Sequence, residues 1–533
     1  MARNLLVALS LLLAASISAK AQLTAQEAVK EMTRGINLGN SLDAYPGGWT
    51  SWGNPPMQES FFADLKKAGF NAVRIPITWG YDNRTMTEPP YTVDSTFMAR
   101  VDSVVTWGLD NGLFVIINAH HEMWLKDTLA ITAPADTAYA DSAIARFDSI
   151  WSQIATHFRN KSDSLIFEIL NEPNPAPEAA VNRLNARVLK IIRRINPTRL
   201  VSYSGYMWSG VAQMVTAQIP DSSDKYLIAY YHSYDPWPFG LNGGTTSNTN
   251  ILTTIKSEMS QATAWSKKTG IPVILGEYGF INTCAYNPRM YAYATVVDQA
   301  QQQGVAPFAW DDGGSFTIFY RRAGTFNEIK DILVHTYPQS PTNLSISEYP
   351  GGPIELQWKN RDPDSDSITV ERAVGGPPQK GIASADFANY RELGPGDSTF
   401  IDDSVSLGST YYYRLSLTTK DSTVMQSYPI MLKDSLITAV AQVNNPVSFK
   451  LLNNYPNPFN PTTVVGYSIP ERGWVTLIVY DVLGRRVRTL VSGFENPGTH
   501  EVQFDGAGLA SGVYFDRLEY DGRVAGGKMI LMK

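Results

Sequence analysis

From about residue 23 to 337 short apolar runs alternate with longer stretches whose apolar residues recur every three to four positions. The runs are Gly35 to Leu38, Ala72 to Ile75, Leu113 to Ile117, Leu165 to Leu170, Leu200 to Tyr203, Tyr226 to Tyr230, Pro272 to Leu275 and Val305 to Ala309. Each is strand-like in length and side-chain type. Between them, Met57 to Ala68, Phe97 to Asn111, Ala143 to Phe158, Pro177 to Asn196 and Ile251 to Thr269 carry helical periodicity. Such alternation predicts a parallel sheet covered by helices. Eight units in about 310 residues fit a (β/α)₈ barrel, an α/β fold also called a TIM barrel. A doubly wound open sheet is the alternative, but no G-x-G-x-x-G follows the first run.

The texture changes after Tyr337. Gln339-Ser340-Pro341-Thr342 reads as a linker. Beyond it come short alternating runs at Ile354 to Trp358, Ile368 to Val370 and Tyr411 to Leu415, set between Pro, Gly, Asp and Ser. They predict a small all-β sandwich. A second β segment opens on Asn454-Tyr455-Pro456-Asn457-Pro458-Phe459-Asn460-Pro461, an extended proline-rich stretch. Runs follow at Val464 to Ile469, Val475 to Tyr480, Val487 to Leu490, Glu501 to Phe504, Val513 to Leu518 and Met529 to Met532, with Asp481 to Gly484 as a turn. The expected organisation is a leader at 1–21, the barrel at 22–337, one β-sandwich at 338–438 and a second at 439–533. The leader rests on Arg3, the apolar run from Leu5 to Ile17 and the small-x-small site Ala19-Lys20-Ala21. That run is too short to span a bilayer, so an exported mature chain is expected.

Net charge is −6, which gives no reason to expect nucleic acid as a partner. Cys284 is the one cysteine, so no disulfide forms within the chain, and a buried inert thiol is expected. Tyrosine and tryptophan are abundant, at 27 and 12 residues, which fits either filled cores or surfaces for sugar stacking.

The candidate chemistry lies at the ends of two runs. Glu172 closes the fourth, in Leu170-Asn171-Glu172-Pro173, and Glu277 closes the seventh, in Leu275-Gly276-Glu277-Tyr278. In a barrel, groups at the C-terminal ends of strands converge on one face. Two carboxylates facing across a mouth are what glycoside hydrolysis requires. One protonates the leaving oxygen, and the other attacks the anomeric carbon or activates water, depending on their spacing. Glu168 shares the fourth run and is read as a barrel-interior acid satisfied by an arginine. His120 and His121 lack a third ligand at fixed spacing, so no metal is expected and hydrogen bonding is the reading for both. No cofactor is expected.

Seven motifs then carry a resemblance. They are Arg34-Gly35-Ile36-Asn37-Leu38-Gly39-Asn40, Val73-Arg74-Ile75-Pro76, Asn118-Ala119-His120-His121-Glu122, Asn171-Glu172-Pro173, His232-Ser233-Tyr234-Asp235-Pro236-Trp237, Gly276-Glu277-Tyr278-Gly279 and Trp310-Asp311. In this order they resemble glycoside hydrolase family 5, and most its subfamily 4. The resemblance implies a retaining endo-β-1,4-glucanase acting on cellulose or related β-glucans. Xyloglucan, mixed-linkage glucan and xylan stay open as substrates. It implies Glu172 as acid/base and Glu277 as nucleophile. It further implies Asn171 on a sugar hydroxyl, Arg74 and Tyr234 holding Glu277, His120, His121 and His232 lining the sugar site, and Trp310 beneath the sugar. Glu172 is expected to rest protonated and Glu277 ionised. Trp52, Trp124, Trp208 and Trp237 are candidate subsite aromatics, and Trp49 and Trp79 lie in the same set of loops. Ser233 departs from the family pattern, and a shifted subsite is the expected result.

Trp358 and the strand bearing Tyr413 resemble a fibronectin type III domain, with Trp358 read as core. The last segment resembles the C-terminal sorting domain of the type IX secretion pathway, through its proline-rich opening, Ser511-Gly512-Val513-Tyr514 and the Lys528 to Lys533 tail. That implies secretion or the cell surface, with the secretion machinery and a β-glucan as partners. A monomer is expected.

Overall fold

The computed structural model describes residues 22–131, 137–348, 353–362, 367–375, 386–405, 409–419, 423–433, 449–452, 454, 456–495 and 498–532. The expected leader, Tyr455 and Lys533 lie outside them. Contacts divide the chain into two units, Met1–Lys433 and Asp434–Lys533.

The first unit opens with helix α1 (Ala25–Glu31). Eight parallel strands then close into a barrel: β1 (Gly35–Asn37), β2 (Ala72–Ile75), β3 (Phe114–Asn118), β4 (Leu165–Glu168), β5 (Leu200–Tyr203), β6 (Leu227–Ser233), β7 (Val273–Tyr278) and β8 (Ala306–Ala309). All eight expected runs are strands, within a few residues at each end. The helices between them are α2 (Glu59–Ala68), α3 (Ser95–Asp110), α4 (Met123–Ala130), α5 (Thr137–His157), α6 (Glu178–Ile195), α7 (Val211–Thr216), α8 (Phe239–Asn242), α9 (Asn248–Thr269) and α10 (Tyr286–Gln303). A hairpin, β9 (Phe319–Tyr320) and β10 (Thr325–Phe326), and α11 (Ile329–His335) complete this part. The boundaries follow local chemistry. Ser247 caps α9 by accepting from the Asn250 N–H, and Gly270 ends it at φ +75°, where a side chain would be strained.

The strands read as continuous apolar runs because both faces are buried. Outward residues such as Val73, Val115, Phe167 and Leu275 pack under the helices in one core. Inward residues Ala72, Phe114, Ile116, Ile166, Leu200, Ile228, Ile274, Ala306 and Phe308 fill the lower barrel, and Ala25, Ala28, Val29 and Met32 of α1 join them as a floor. The inward phase continues upward to Asn37, Arg74, Asn118, Glu168 and Ser202, all buried and polar. The apolar filling therefore changes to a polar layer near the C-terminal ends of the strands, where barrel sites form.

The rest of the first unit is antiparallel β. Strands β11 (Thr342–Glu348), β12 (Ile354–Lys359) and β15 (Thr399–Asp402) make one sheet. Strands β13 (Ser367–Gly375), β14 (Ala388–Leu393), β16 (Thr410–Thr418), β17 (Val424–Gln426) and β18 (Ile430–Lys433) make another. Trp358 is buried, as read, and the Tyr413 hydroxyl donates to Asp402 at 2.8 Å. The expected linker is instead a packed turn: Ser340 is buried, and its carbonyl accepts from Arg361 at 2.9 Å. The β-domain is tied to the barrel by Arg414 to Asp331 of α11 at 2.6 Å and Arg361 to Asp298 of α10 at 3.0 Å. Asn287 of α10 accepts from the Met431 N–H at 2.7 Å and donates to the Met431 carbonyl at 3.0 Å.

The second unit has two antiparallel sheets. One holds β19 (Lys450–Leu451), β20 (Thr462–Ile469) and β23 (Gly498–Asp505). The other holds β21 (Gly473–Asp481), β22 (Arg486–Glu495), β24 (Gly512–Tyr520) and β25 (Arg523–Leu531). The proline-rich opening is stitched to β25: Asn457 accepts from the Ile530 N–H at 2.9 Å and donates to the Lys528 carbonyl at 2.9 Å, and Phe459 is buried. Among the described residues no helix is long and apolar enough to cross a membrane.

Candidate active site

Arg74 is the hub of the polar layer. It is fully buried, and all five of its N–H groups find acceptors. Nε and Nη2 grip Glu168 at 2.8 and 2.6 Å. Nη2 also reaches Asn171 Oδ1 at 2.8 Å, and Nη1 reaches Asn37 Oδ1 at 2.9 Å and Glu277 Oε1 at 2.6 Å. Burial opposes its charge, but Glu168 and Glu277 outweigh burial and hold its pKa above the usual value. Glu168 is thus the interior acid paired with an arginine, as expected.

Glu277 owes its direction to a break in strand period. In β7, Val273 and Leu275 face outward and Ile274 inward. Strict alternation would bring Gly276 inward and turn Glu277 toward the helices. The register slips instead: Tyr231 pairs with Leu275 but His232 with Glu277, and on the other side Leu275 pairs with Pro307 but Tyr278 with Ala309. One extra residue in β7 is a β-bulge, and it re-aims Glu277 into the mouth. The Gly276 carbonyl is held by Asn37 Nδ2 at 3.0 Å. A Cβ on Gly276 would sit 3.0 Å from His232 Nε2, so the close neighbour that demands glycine is His232. In the mouth the second oxygen of Glu277 accepts from the Tyr234 hydroxyl at 2.9 Å.

Glu172 is not on a strand. β4 ends at Glu168, and Glu172 lies four residues on, in the left-handed region at φ +38°. Strained backbone of this kind costs about 1–3 kcal/mol and is kept where surroundings hold it. The loop is held by the Tyr230 hydroxyl on the Leu170 carbonyl at 2.5 Å and by the Asn171 N–H on the Ala119 carbonyl at 2.9 Å. Glu172 Oε1 meets His232 Nδ1 at 2.8 Å. His232 Nδ1, one Glu172 oxygen and one Glu277 oxygen all lie within 4.8 Å of one another.

Burial pushes the Glu172 carboxyl up, but the hydrogen bond and charge of His232, with Lys126 and Arg74 behind them, outweigh it and leave the group below its ordinary value. This differs from the expectation of a resting protonated acid. The physical reason is the short contact with His232, whose hydrogen bond favours the charged carboxylate.

His120 and Asn171 form a donor pair. Asn118 Oδ1 accepts from the Ile77 N–H, which turns its amide nitrogen to Glu168 and to His120 Nδ1, at 2.9 and 3.0 Å. His120 Nδ1 is therefore an acceptor, and burial holds the ring neutral, so the proton is on Nε2. Asn171 Oδ1 is taken by Arg74, which leaves its amide nitrogen outward, 3.4 Å from His120 Nε2. Two donors that cannot bond each other aim at one point, and an acceptor oxygen such as a sugar hydroxyl satisfies both. The Trp310 ring lies parallel to His120, with centroids 6.0 Å apart. His121 lies beside His120 and 3.8 Å from Asp43, whose carboxylate takes the Asn40 and Ser41 N–H groups.

The tryptophans divide. Trp52, Trp208 and Trp237 are exposed by 40, 58 and 63%. Trp124 is half-buried, with Arg146 over its ring at 4.6 Å and its Nε1 donating to Glu122 at 2.7 Å. Trp79 is fully buried, and Trp49 stacks on Phe97. Cys284 is buried, and burial pushes its thiol up to about 11.

Four residues of this arrangement were not singled out from sequence. Asn37 and Asn118 orient Arg74 and His120. Glu122 accepts from the Trp79 and Gly80 N–H groups at 2.6 and 3.0 Å. Lys126 is buried with Nζ on the His120 carbonyl at 2.9 Å, and burial brings it down to about 8. An inward phase count along β1 and β3 gives the two asparagines, whereas Lys126 leaves no sequence signal.

Residues 30–315 match the family model of Cellulase (glycosyl hydrolase family 5), which covers more than half of the chain. The chain belongs to glycosyl hydrolase family 5. It is 38% identical over 324 residues to Endoglucanase H of Acetivibrio thermocellus, covering 58% of this chain and 34% of that protein. It is 33% identical over 327 residues to Endoglucanase B of Clostridium cellulovorans, covering 57% and 72%. The chain thus spans about a third of the first relative's length. Among solved structures, a family 5 subfamily 4 broad-specificity endoglucanase from Clostridium longisporum aligns at 28% identity and TM-score 0.53, over 59% of this chain and 98% of that one. A hyperthermophilic endo-β-1,4-glucanase in complex with substrate aligns at 30% identity and TM-score 0.53, over 58% and 99%. Residues 453–532 match the Secretion system C-terminal sorting domain, which directs the chain to secretion or the cell surface.

Proposed function

We propose that this chain is an endo-β-1,4-glucanase that cuts cellulose and related β-glucans by double displacement. The observation that carries the reading is the carboxylate pair: one oxygen of Glu172 and one of Glu277 lie within 4.8 Å. Retaining glycosidases hold their carboxyl groups roughly 5–5.5 Å apart, and inverting ones leave roughly 6.5–9.5 Å for a water.

Glu277 is the nucleophile in this reading, aimed by Arg74 and Tyr234. Glu172 is the acid and then the base. Substrate binding, by excluding water, favours its neutral, proton-donating carboxyl. Bond formation by Glu277 removes its negative charge beside Glu172. The acid's pKa then falls further, as a base for the second step requires. His120 and Asn171 hold a hydroxyl of the sugar above Trp310, and Trp52, Trp208 and Trp237 extend the site. The chain acts as a monomer, and residues 453–532 meet the type IX secretion machinery.

The test is product analysis on cellulose, xyloglucan, mixed-linkage glucan, xylan and mannan, with the anomer of the first product followed by proton NMR. Internal cuts with retained β-anomer on a β-1,4-glucan are expected. No turnover on any of these polymers, or an inverted product, refutes the reading.

A further inference from the structure

Ser233 was expected to shift a subsite, and its side chain is turned to helix α9. Its hydroxyl donates to Glu258 Oε2, on α9, at 2.6 Å. The same Ser233 oxygen accepts from the Asp235 N–H at 3.3 Å, and Asp235 Oδ1 accepts from the Trp237 N–H at 2.7 Å. Tyr234 sits inside this turn. Its backbone carbonyl is lodged against Gly240, where a Cβ would come within 1.8 Å, and its hydroxyl reaches Glu277. The segment that steadies the Glu277 carboxylate is thus moored on one side to Glu258.

We propose that Glu258 is a positioning residue: its bond to Ser233 moors the turn that keeps Tyr234 on Glu277. Asp235 of the same turn and Tyr231 of β6 are titratable groups that interact with it. Burial, as the leading cause, with Asp235 pushes Glu258 up to about 8. Loss of its proton puts a buried negative charge at the root of the Tyr234 turn.

The inference rests on the proposed glucanase reading for its kinetic arm, whereas its stability arm does not. The folded pKa of Glu258 lies above its free value of 4.5, so its contribution is full below 4.5 and lost as pH rises through about 8. Glutamine keeps the acceptor for Ser233 but does not titrate. The Tm of the full chain minus that of Glu258→Gln is therefore expected to fall between about pH 5 and 8 and to level above it. A difference that does not change with pH refutes a protonated Glu258 at the mooring, whether or not the chain cuts glucan. In the kinetic arm, an aryl β-cellobioside with a leaving group too acidic to need protonation reports on Glu277 rather than Glu172. Glu258→Leu should lower kcat about tenfold, Glu258→Gln should restore most of it, and the alkaline limb should move upward in Glu258→Gln. In a Tyr234→Phe background Glu258→Leu should cost less than about twofold more. A full tenfold loss in that background places the action of Glu258 elsewhere and overturns the mooring.

Discussion

Replacing Arg74 by lysine keeps the positive charge and removes the geometry, which makes it a sharp test of the hub. The guanidinium spends five N–H groups on two carboxylates and two amides that lie on four different strands or strand-end loops: Asn37, Glu168, Asn171 and Glu277. An ammonium has three N–H groups at a single atom. At least two of the five bonds are lost, and the forked grip on Glu168 is lost with certainty. A hydrogen bond to a charged group contributes about 1.5–3 kcal/mol, so two amount to about 3–6 kcal/mol in a site with no exposed surface. Water has little access to replace them, since Arg74 and Glu168 have no exposed side-chain area and Glu277 only 5%.

Activity should suffer for a separate reason. Asn171 Oδ1 on Arg74 is what turns the amide nitrogen outward, and Nη1 on Glu277 is what aims the carboxylate. Loosening both at once misplaces the nucleophile and a sugar contact, and displacement of about 1 Å costs about a hundredfold in rate. The assay is kcat on a soluble β-1,4-glucan well below the unfolding temperature, with thermal unfolding followed by tryptophan fluorescence. Arg74→Lys within about threefold of wild-type kcat and within about 1 kcal/mol in stability would falsify the view that geometry, not charge, is what Arg74 supplies.

Three further outcomes follow from the packing. Gly276→Ala places a methyl 3.0 Å from His232 Nε2 and 3.4 Å from Tyr230, so the His232 ring that bonds Glu172 must shift; overpacking of about 1–3 kcal/mol and about a tenfold fall in kcat are expected, and an unchanged pH–rate profile would contradict this. Trp52→Ala should weaken kcat/KM on long glucans about tenfold through lost stacking, whereas Trp124→Phe should lower the unfolding temperature and leave KM alone; the reverse pattern in steady-state kinetics would reassign the two rings. Asn287→Ala removes both bonds to the Met431 backbone at a cost of about 1–3 kcal/mol, with kcat within about twofold; limited proteolysis should cut the β-domain sooner, and an unaltered cleavage rate would argue against the tether.

Much of the fold was legible because its strands are buried on both faces. Runs such as Leu113 to Ile117 stand out from amphipathic helices by length and by their β-branched residues, and all eight appear in the barrel. The short α4, α7 and α8 give too few turns for a period to show. The site was legible as residue types at strand ends but not as geometry. Alternation along β7 gives the wrong face for Glu277, and Gly276, a residue type that often marks a bulge, is the hint of the inserted residue in Leu275-Gly276-Glu277. Glu172 was read as closing a strand that ends four residues earlier. Trp124 and Trp79 were read by position in the chain, whereas covering by Arg146 and burial are properties of neighbours distant in sequence. Ser340 looked like linker for the same reason.

The bulge and the left-handed turn are two solutions to one problem. Barrel strands end at different heights, and inward positions recur only every second residue, so carboxylates on regular strands would stand at spacings fixed by the sheet. Glu168 shows where a regular inward glutamate falls: in the layer below, closed by Arg74 and shut off from solvent. To bring two carboxylates within 4.8 Å at the mouth, the chain slips β7 by one residue and carries Glu172 beyond β4 on a strained turn. Both departures then need bracing, and both braces meet at His232, which touches Glu172 through Nδ1 and lies against Gly276 through Nε2. His232 Nε2 is buried without a hydrogen-bond partner among the described residues, so its ring is held by packing and by Glu172 alone. The imidazole that bonds the acid is thereby also the spacer between it and the nucleophile, 3.7 Å from Glu277 Oε2. Moving it must change the acid's hydrogen bond and the carboxylate spacing together, which is why rate and pH profile should fail as one in Gly276→Ala.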